Sequence, residues 1–403
     1  MLIKGVRACE ILDSRGLPTV SVTIQTNNGS FHASVPSGTS TGKYEAVELR
    51  DKNGSVKKAV KNIQKIITPK IINKNFDDQL KIDNVLLKLD GTKDKSTLGA
   101  NAMLALSIAC CRAFAAEKKI SLYCYIKKKS KNKKKFFIPK PLILIFEGGK
   151  HIKENMKNKE IQEFMIIPQE KKFSDNFNIG KKAYEYVGEL LKKNNLRRNI
   201  GLEGAYFSIG NNKSLDYIDN ALKKLKINCS IALDVAASEL LEGAYYILNG
   251  KKLTKEMLFN TYLKLIKEYP VASIEDCFDQ DDWKIWRDMT EKIGKEIMIV
   301  GDDFLASNPK RITQAINEKA ANSLLLKINQ IGTITEAIES ANRAHNAGWN
   351  IIVSHRSGET NDDFIADFAV GVGAQYVKFG APVKIERVAK YNRLLHIGEE
   401  LKL

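Results

Sequence analysis

The chain has 403 residues, 43% hydrophobic and 28% charged, which is enough for two domains or for a barrel with an added domain. Its net charge of +17 invites an acidic partner, yet only 12 of its 64 basic residues are Arg, the side chain that nucleic-acid sites favour for bidentate contacts. A solvated lysine-rich surface of the kind AT-rich coding produces is therefore favoured over a polyanion-binding role, which stays open. In chain order, residues 1–35 alternate in polarity as strands do, with a hairpin signal at Asn27-Asn28-Gly29. A flexible Gly/Ser/Thr loop, PSGTSTGKY, occupies 36–44, and residues 56–116 carry helical spacing broken at Asp90-Gly91-Thr92. Residues 1–126 thus read as an α+β unit.

Residues 127–135, KKKSKNKKK, place seven lysines in nine positions and predict an exposed interdomain linker; no aromatics interleave them as a nucleic-acid site would want. Over 136–403 short apolar runs alternate with helical segments. The runs are SIALDVA (230–236), VASIEDC (271–277), EIMIVGDD (296–303), SLLLKINQ (323–330), WNIIVSHR (349–356) and AQYVKFG (374–380). From Glu275 their terminal polar residues recur about every 25 residues, one βα unit per step. The pattern predicts a (β/α)8 barrel, an α/β fold whose chemistry collects at the carboxyl ends of the strands. The six cysteines, Cys9, Cys110, Cys111, Cys124, Cys229 and Cys277, lack CxxC spacing and suit a reduced, cytoplasmic protein. No signal peptide opens the chain, and the longest apolar segment, 98–116, contains Gly99, Asn101, Ser107 and Arg112 and reads as a packed helix, not a membrane span.

The strand ends carry the chemistry. One strand-end carboxylate is most simply a helix N-cap, but six successive polar ends, two of them lysine, are not a set of caps. Asp234, Glu275 and Asp302 come from three successive ends. Brought together they repel unless a cation sits among them, and an all-oxygen set suits Mg²⁺; separate caps or salt bridges are the alternative. Lys327 ends a leucine run, where a buried lysine is either ion-paired or a base; beside Mg²⁺ and Lys378 its ammonium form is disfavoured. His355-Arg356-Ser357 offers a cation, a guanidinium fork and a hydroxyl to a phosphate. Glu163, in IQEFMIIP, and Glu203, between Gly201 and Gly204, are candidates for acid work. The set reads as metal-assisted proton abstraction from a phosphorylated, carboxylate-bearing substrate.

Ten stretches in order, ILDSRGLPTV, VPSGTSTGKYEAVELRD, LGANAMLALS, IQEFMIIP, IALDVAASE, SIEDCFDQDDW, VGDDFLASNPKRI, LLLKINQIGT, VSHRSGET and KFGAPVKIER, resemble the enolase (phosphopyruvate hydratase) family from end to end. The resemblance implies an enolase-type barrel, ββαα(βα)6, behind an N-terminal α+β capping domain. It implies reversible dehydration of 2-phosphoglycerate to phosphoenolpyruvate in glycolysis and gluconeogenesis, by a cytoplasmic homodimer. Two Mg²⁺ ions are implied, the second arriving with substrate. Carried over by motif, Lys327 is the base, Glu203 the acid with Glu163 assisting, and Asp234, Glu275 and Asp302 the ligands of the first ion. Ser40 binds the second ion, Lys378 the substrate carboxylate, and Arg356 and Ser357 the phosphate, with His151 and His355 lining the pocket. The family's N-x-x-N-G-G is here Leu144-Ile145-Phe146-Glu147-Gly148-Gly149, and its G-D-E-G-G is Gly201-Leu202-Glu203-Gly204-Ala205. Leu17 stands where Asn is usual. Such changes bear on turnover, since groups behind a site orient those in front. The alternative is a catalytically degenerate enolase fold that binds nucleic acid or a surface partner.

Overall fold

The computed structural model describes residues 1–39, 42–152 and 159–403. Strands β1 (Ile3–Leu12), β2 (Pro18–Thr26) and β3 (Gly29–Ser34) form an antiparallel meander. The expected hairpin is present, with Thr26 paired to Gly29, which takes φ +119°. Alternation along β2 turns Val20, Val22 and Ile24 into the core. The helix Ala100–Glu117 packs on β2 and β3. It is the one helix among the described residues long and apolar enough to cross a membrane, and 83% of that window is buried inside the fold. Its polar residues are used: Asn101 brackets the backbone of Leu49, and Ser107 donates to Asp83.

The lysine run departs from the expected linker at its start. The helix Leu122–Ser130 carries Lys127–Lys129 in its last turn, because Tyr123, Tyr125 and Ile126 bury and hold the turn against the fold. Lys131 ends it in the left-handed conformation, φ 57°. Two lysines are engaged: Lys127 lies 3.9 Å over the Phe136 ring and Lys129 pairs with Asp78.

Strands β4 (Lys140–Glu147), β5 (Glu163–Pro168), β6 (Tyr206–Phe207) and β7 (Cys229–Asp234) come next. A small antiparallel sheet follows: β8 (Leu241–Glu242), β9 (Tyr245–Leu248) and β10 (Lys251–Leu253). Then come β11 (Val271–Glu275), β12 (Met298–Gly301), β13 (Ser323–Leu326), β14 (Asn350–Ser354) and β15 (Tyr376–Lys378). The order β4-β5-β7-β11-β12-β13-β14-β15 closes into a barrel through parallel pairing of β15 with β4. β5 runs antiparallel to both neighbours, and two helices, Phe173–Lys193 and Asn211–Leu225, precede β7, after which strand and helix alternate. The strands read as continuous apolar runs because both faces are covered; Leu324, Leu325 and Leu326 are all fully buried.

The α+β unit is clamped to the barrel rim. Arg112 forks onto Asp362 at 2.7 and 2.8 Å, and Asp362 also accepts the Ser34 amide at 3.0 Å. Ser37 and Gly358 exchange backbone bonds at 2.8 and 2.9 Å, which lays the described part of the 36–44 loop across the barrel mouth. Ser40 lies outside the described residues.

Candidate active site

Strand register assembles the site. Glu147 pairs with Glu163, Glu163 with Asp234, and Asp234 with Glu275, so four carboxylates from β4, β5, β7 and β11 stand in one row at the barrel rim. Lys378, the last residue of β15, reaches into this row. Its ammonium donates to Asp234 at 3.0 Å and to both Glu275 oxygens at 2.8 and 3.0 Å, and lies 2.9 Å from Glu163. Burial pushes the Lys378 ammonium down, but Asp234, Glu163 and Glu275 outweigh it and hold it well above the ordinary lysine range. Burial, then Asp234, push the Glu275 carboxyl well up in spite of Lys378.

Asp302 follows β12 and pairs with the Lys327 ammonium; its other oxygen accepts from Gln330 at 2.8 Å. The neutral Lys327 expected beside a divalent ion is not the state of the chain alone. Burial lowers it, but Asp302 raises it further, so Lys327 keeps its proton. Asp276 takes the left-handed conformation, φ 44°, and accepts the amides of Asp302 and Asp303 at 2.9 Å each, fixing the turn that presents Asp302.

Opposite Lys327 lie the acid candidates. Glu203 Oε2 stands 3.0 Å from His355 Nε2, and Glu203 Oε1 stands 3.8 Å from His151 Nε2. Arg387 donates to His355 Nδ1 at 2.7 Å, which places the ring proton of a neutral His355 on Nε2, facing Glu203. Burial drives His355 down to about 3, against the pull of Glu203. Burial alone would raise Glu203, but the two histidines hold it well below the usual range. A neutral His355 thus faces an ionised Glu203, with the ring proton on Nε2 pointing at the carboxylate. Glu163 is pushed well up, by burial and by Glu203, against Lys378. Its carboxyl therefore gives up a proton less readily than an ordinary one, within 4.8 Å of Glu203.

Glu163 Oε2, Glu203 Oε2, His151 Nδ1 and His355 Nε2 are buried without a properly aligned hydrogen bond, and all converge on one cavity of about 30 Å³. Asp234, Asp302, Lys327, Arg356, Ser357 and Lys378 line it as well. A wider groove of about 750 Å³, along β1, β3 and Glu359–Asp362, gathers no comparable cluster, so size is a poor guide here. Carboxylates outnumber Lys327, Lys378 and Arg356 in the cavity, and protons or ammonium groups balance them in the chain alone. These carboxylates, oxygen donors left under-neutralised, fit a hard divalent cation. Two tight groups among the described residues could hold a metal: His151, Glu163 and Glu203, and Asp276, Asp302 and Asp303, of which only Asp302 belongs to the expected Asp234, Glu275 and Asp302 set.

Residues 3–126 match the family described as enolase, N-terminal domain, and residues 135–402 match enolase, C-terminal TIM barrel domain. The chain belongs to the enolase family. Membership makes it an enolase-type lyase.

Several members of this enolase site carry no signal in the sequence. Glu45 holds the Arg356 guanidinium at 2.8 and 3.2 Å and accepts the Gly42 amide at 3.0 Å; Asn329 also accepts from Arg356, at 3.0 Å. Both lie inside stretches that carry the resemblance, but nothing in their local pattern marks them. Arg387, fully buried, also donates to the carbonyls of Arg356 and Ser357, so it sets the Arg356-Ser357 turn. Ser357 Oγ accepts the Thr39 amide at 2.9 Å and donates to its hydroxyl at 2.7 Å, tying that turn to the loop. Gly201 is required by close approach: a Cβ there would lie 2.2 Å from Glu147 Cδ. Gly201→Ala is therefore expected to destabilise the protein by about 1–3 kcal/mol, read as a lower urea midpoint at unchanged slope.

Proposed function

We propose that this enolase-family lyase reversibly dehydrates 2-phosphoglycerate to phosphoenolpyruvate with Mg²⁺. The observation that carries the reading is the strand order, which sets Lys327 at the end of β13, four strands round the barrel from Glu163 on β5, with Glu203 beside Glu163. A β-elimination needs that division: a base for the proton beside the carboxylate, and an acid for the hydroxyl on the next carbon.

Asp234, Glu275 and Asp302 are the residues to hold Mg²⁺, which supplies positive charge to a substrate whose carboxylate gains a second negative charge as the proton leaves. Lys378, already anchored between Asp234 and Glu275, presents its ammonium to the same carboxylate. Lys327 releases its proton to solvent, then takes the one from C2. Glu203, ionised in the chain alone, takes a proton from Glu163 and passes it to the departing hydroxyl. Arg356 and Ser357 take the phosphate, which competes with Glu45 for the guanidinium. His151 and His355, buried and close to Glu203, keep the acid's side of the pocket dry. Ser40 is the proposed ligand of a second, substrate-borne ion.

The test follows the ultraviolet absorbance of phosphoenolpyruvate formed from 2-phosphoglycerate with Mg²⁺ present, then with EDTA. Product with Mg²⁺ and none with EDTA is expected; no product at high enzyme concentration overturns the reading. The engagement of Lys127 and Lys129 with Phe136 and Asp78 weighs against a polyanion role for the lysine run. A cytoplasmic homodimer extends the same reading. Exposed Leu12 and Ile385 flank the wide groove, and light scattering of the purified protein tests the dimer.

A further inference from the structure

Glu147 ends β4 with its side chain completely buried. The motifs that carry the family resemblance give it no role, since its position is one of those that differ. Yet it is the acceptor around which the segment 201–205 is wrapped. Its carboxyl accepts the Glu203 amide at 3.1 and 3.2 Å through its two oxygens, and the Ala205 amide at 2.9 Å. Gly201 closes the wrap by donating to the Ala205 carbonyl at 2.9 Å, at a spacing that admits no Cβ beside Glu147. The same carboxyl stands 3.6 Å from His151 Nδ1, on the ring whose other nitrogen faces Glu203.

Burying a carboxyl away from any paired cation is costly, and Glu147 is pushed up to about 8 by burial and by Glu203. Its bonds to the otherwise unpartnered amides of Glu203 and Ala205 offset part of that cost. The 201–205 segment is already held from outside, by Tyr184 on the Gly204 carbonyl at 2.8 Å and by Lys384 on the Gly201 carbonyl at 2.8 Å. Those bonds leave the amides of Glu203 and Ala205 facing inward, and Glu147 is what they meet.

We propose that Glu147 is a positioning residue for the acid: by accepting the amides of Glu203 and Ala205 it aims the Glu203 carboxyl into the cavity. The role rests on the proposed dehydration, in which Glu203 is the acid. What it requires of residue 147 is an oxygen acceptor at that reach; a negative charge is not required.

Three forms of the full chain test this: wild type, Glu147→Met, which fills the same space without a strong acceptor, and Glu147→Gln, which keeps an acceptor. E147M is expected to lower kcat for 2-phosphoglycerate by about 10–100-fold with KM within about threefold, and E147Q to return kcat to within about threefold of wild type. Amide hydrogen exchange, measured without substrate, is expected to quicken by about tenfold or more at Glu203 and Ala205 in E147M and to stay slow in E147Q. A wild-type kcat in E147M, a loss confined to KM, an E147Q as slow as E147M, or unchanged exchange at those two amides overturns the proposal. If the wild type itself forms no phosphoenolpyruvate, the dehydration reading fails, and the exchange comparison still decides whether Glu147 orders the segment. Should E147M not fold, Glu147→Asp, which draws the carboxyl back by one methylene, replaces it under the same expectations and the same overturning results.

Discussion

Lys327→Ala is expected to lower kcat for 2-phosphoglycerate dehydration by about 10²–10⁴-fold or more, with substrate affinity much less affected. Among the described residues no other basic group on that side of the cavity is placed to take the proton, because Lys378 is committed to Asp234 and Glu275 and Arg356 to Glu45. The alanine also frees Asp302 from its ammonium. Mg²⁺ affinity, read by calorimetry, should therefore rise or hold while turnover collapses. A variant that loses Mg²⁺ binding in step with activity would show that Lys327 orders the metal ligands instead of moving a proton. A complementary reading comes from solvent exchange of the C2 hydrogen of 2-phosphoglycerate. It should vanish in Lys327→Ala and persist in Glu203→Gln, which lacks only the proposed acid for the later half of the reaction.

Lys378→Met is expected to cost about 3–5 kcal/mol of stability in EDTA, because it leaves Asp234, Glu275 and Glu163 buried around no cation. The sign with pH follows from the same carboxyls. Glu275 and Glu163 are raised, so they are protonated more readily in the folded than in the unfolded chain. Their burial is therefore tolerated at low pH and grows costlier as pH rises. The deficit of the variant should be small near pH 5 and larger near pH 8. Added Mg²⁺ should restore more stability to the variant than it adds to the wild type, since it brings the missing positive charge to the row. Equal denaturation midpoints for the two proteins in EDTA at pH 8 would refute the caged ammonium, and a Mg²⁺ response equal in both would remove Asp234 and Glu275 from the ligand set.

Both expectations turn on residues that are legible in the amino-acid sequence. The alternation of β2, the Asn-Asn-Gly hairpin and the leucine run before Lys327 announce themselves locally, since side-chain period and turn conformation are properties of neighbours in the chain. A charged residue at the end of each of several apolar runs is equally visible, and a parallel barrel admits only one rim on which they can meet. The lysine run misleads for the opposite reason. Composition points to an exposed linker, but three apolar residues ahead of it, Tyr123, Tyr125 and Ile126, pack and draw its first turn into a helix.

What the chain determined by itself was thus the set of groups and the rim that gathers them: Asp234, Glu275, Asp302, Lys327, His355 and Lys378, one per strand end. Only the tertiary structure decided which of them touch and in what charge state. Lys327 is protonated because Asp302 faces it, Lys378 fills the row instead of standing apart from it, and Glu147 reaches the amides on either side of Gly204. Glu45 and Arg356 are 311 residues apart in sequence, yet they share two hydrogen bonds. The physical reason is that pairing and desolvation depend on distances through space, which no local period encodes.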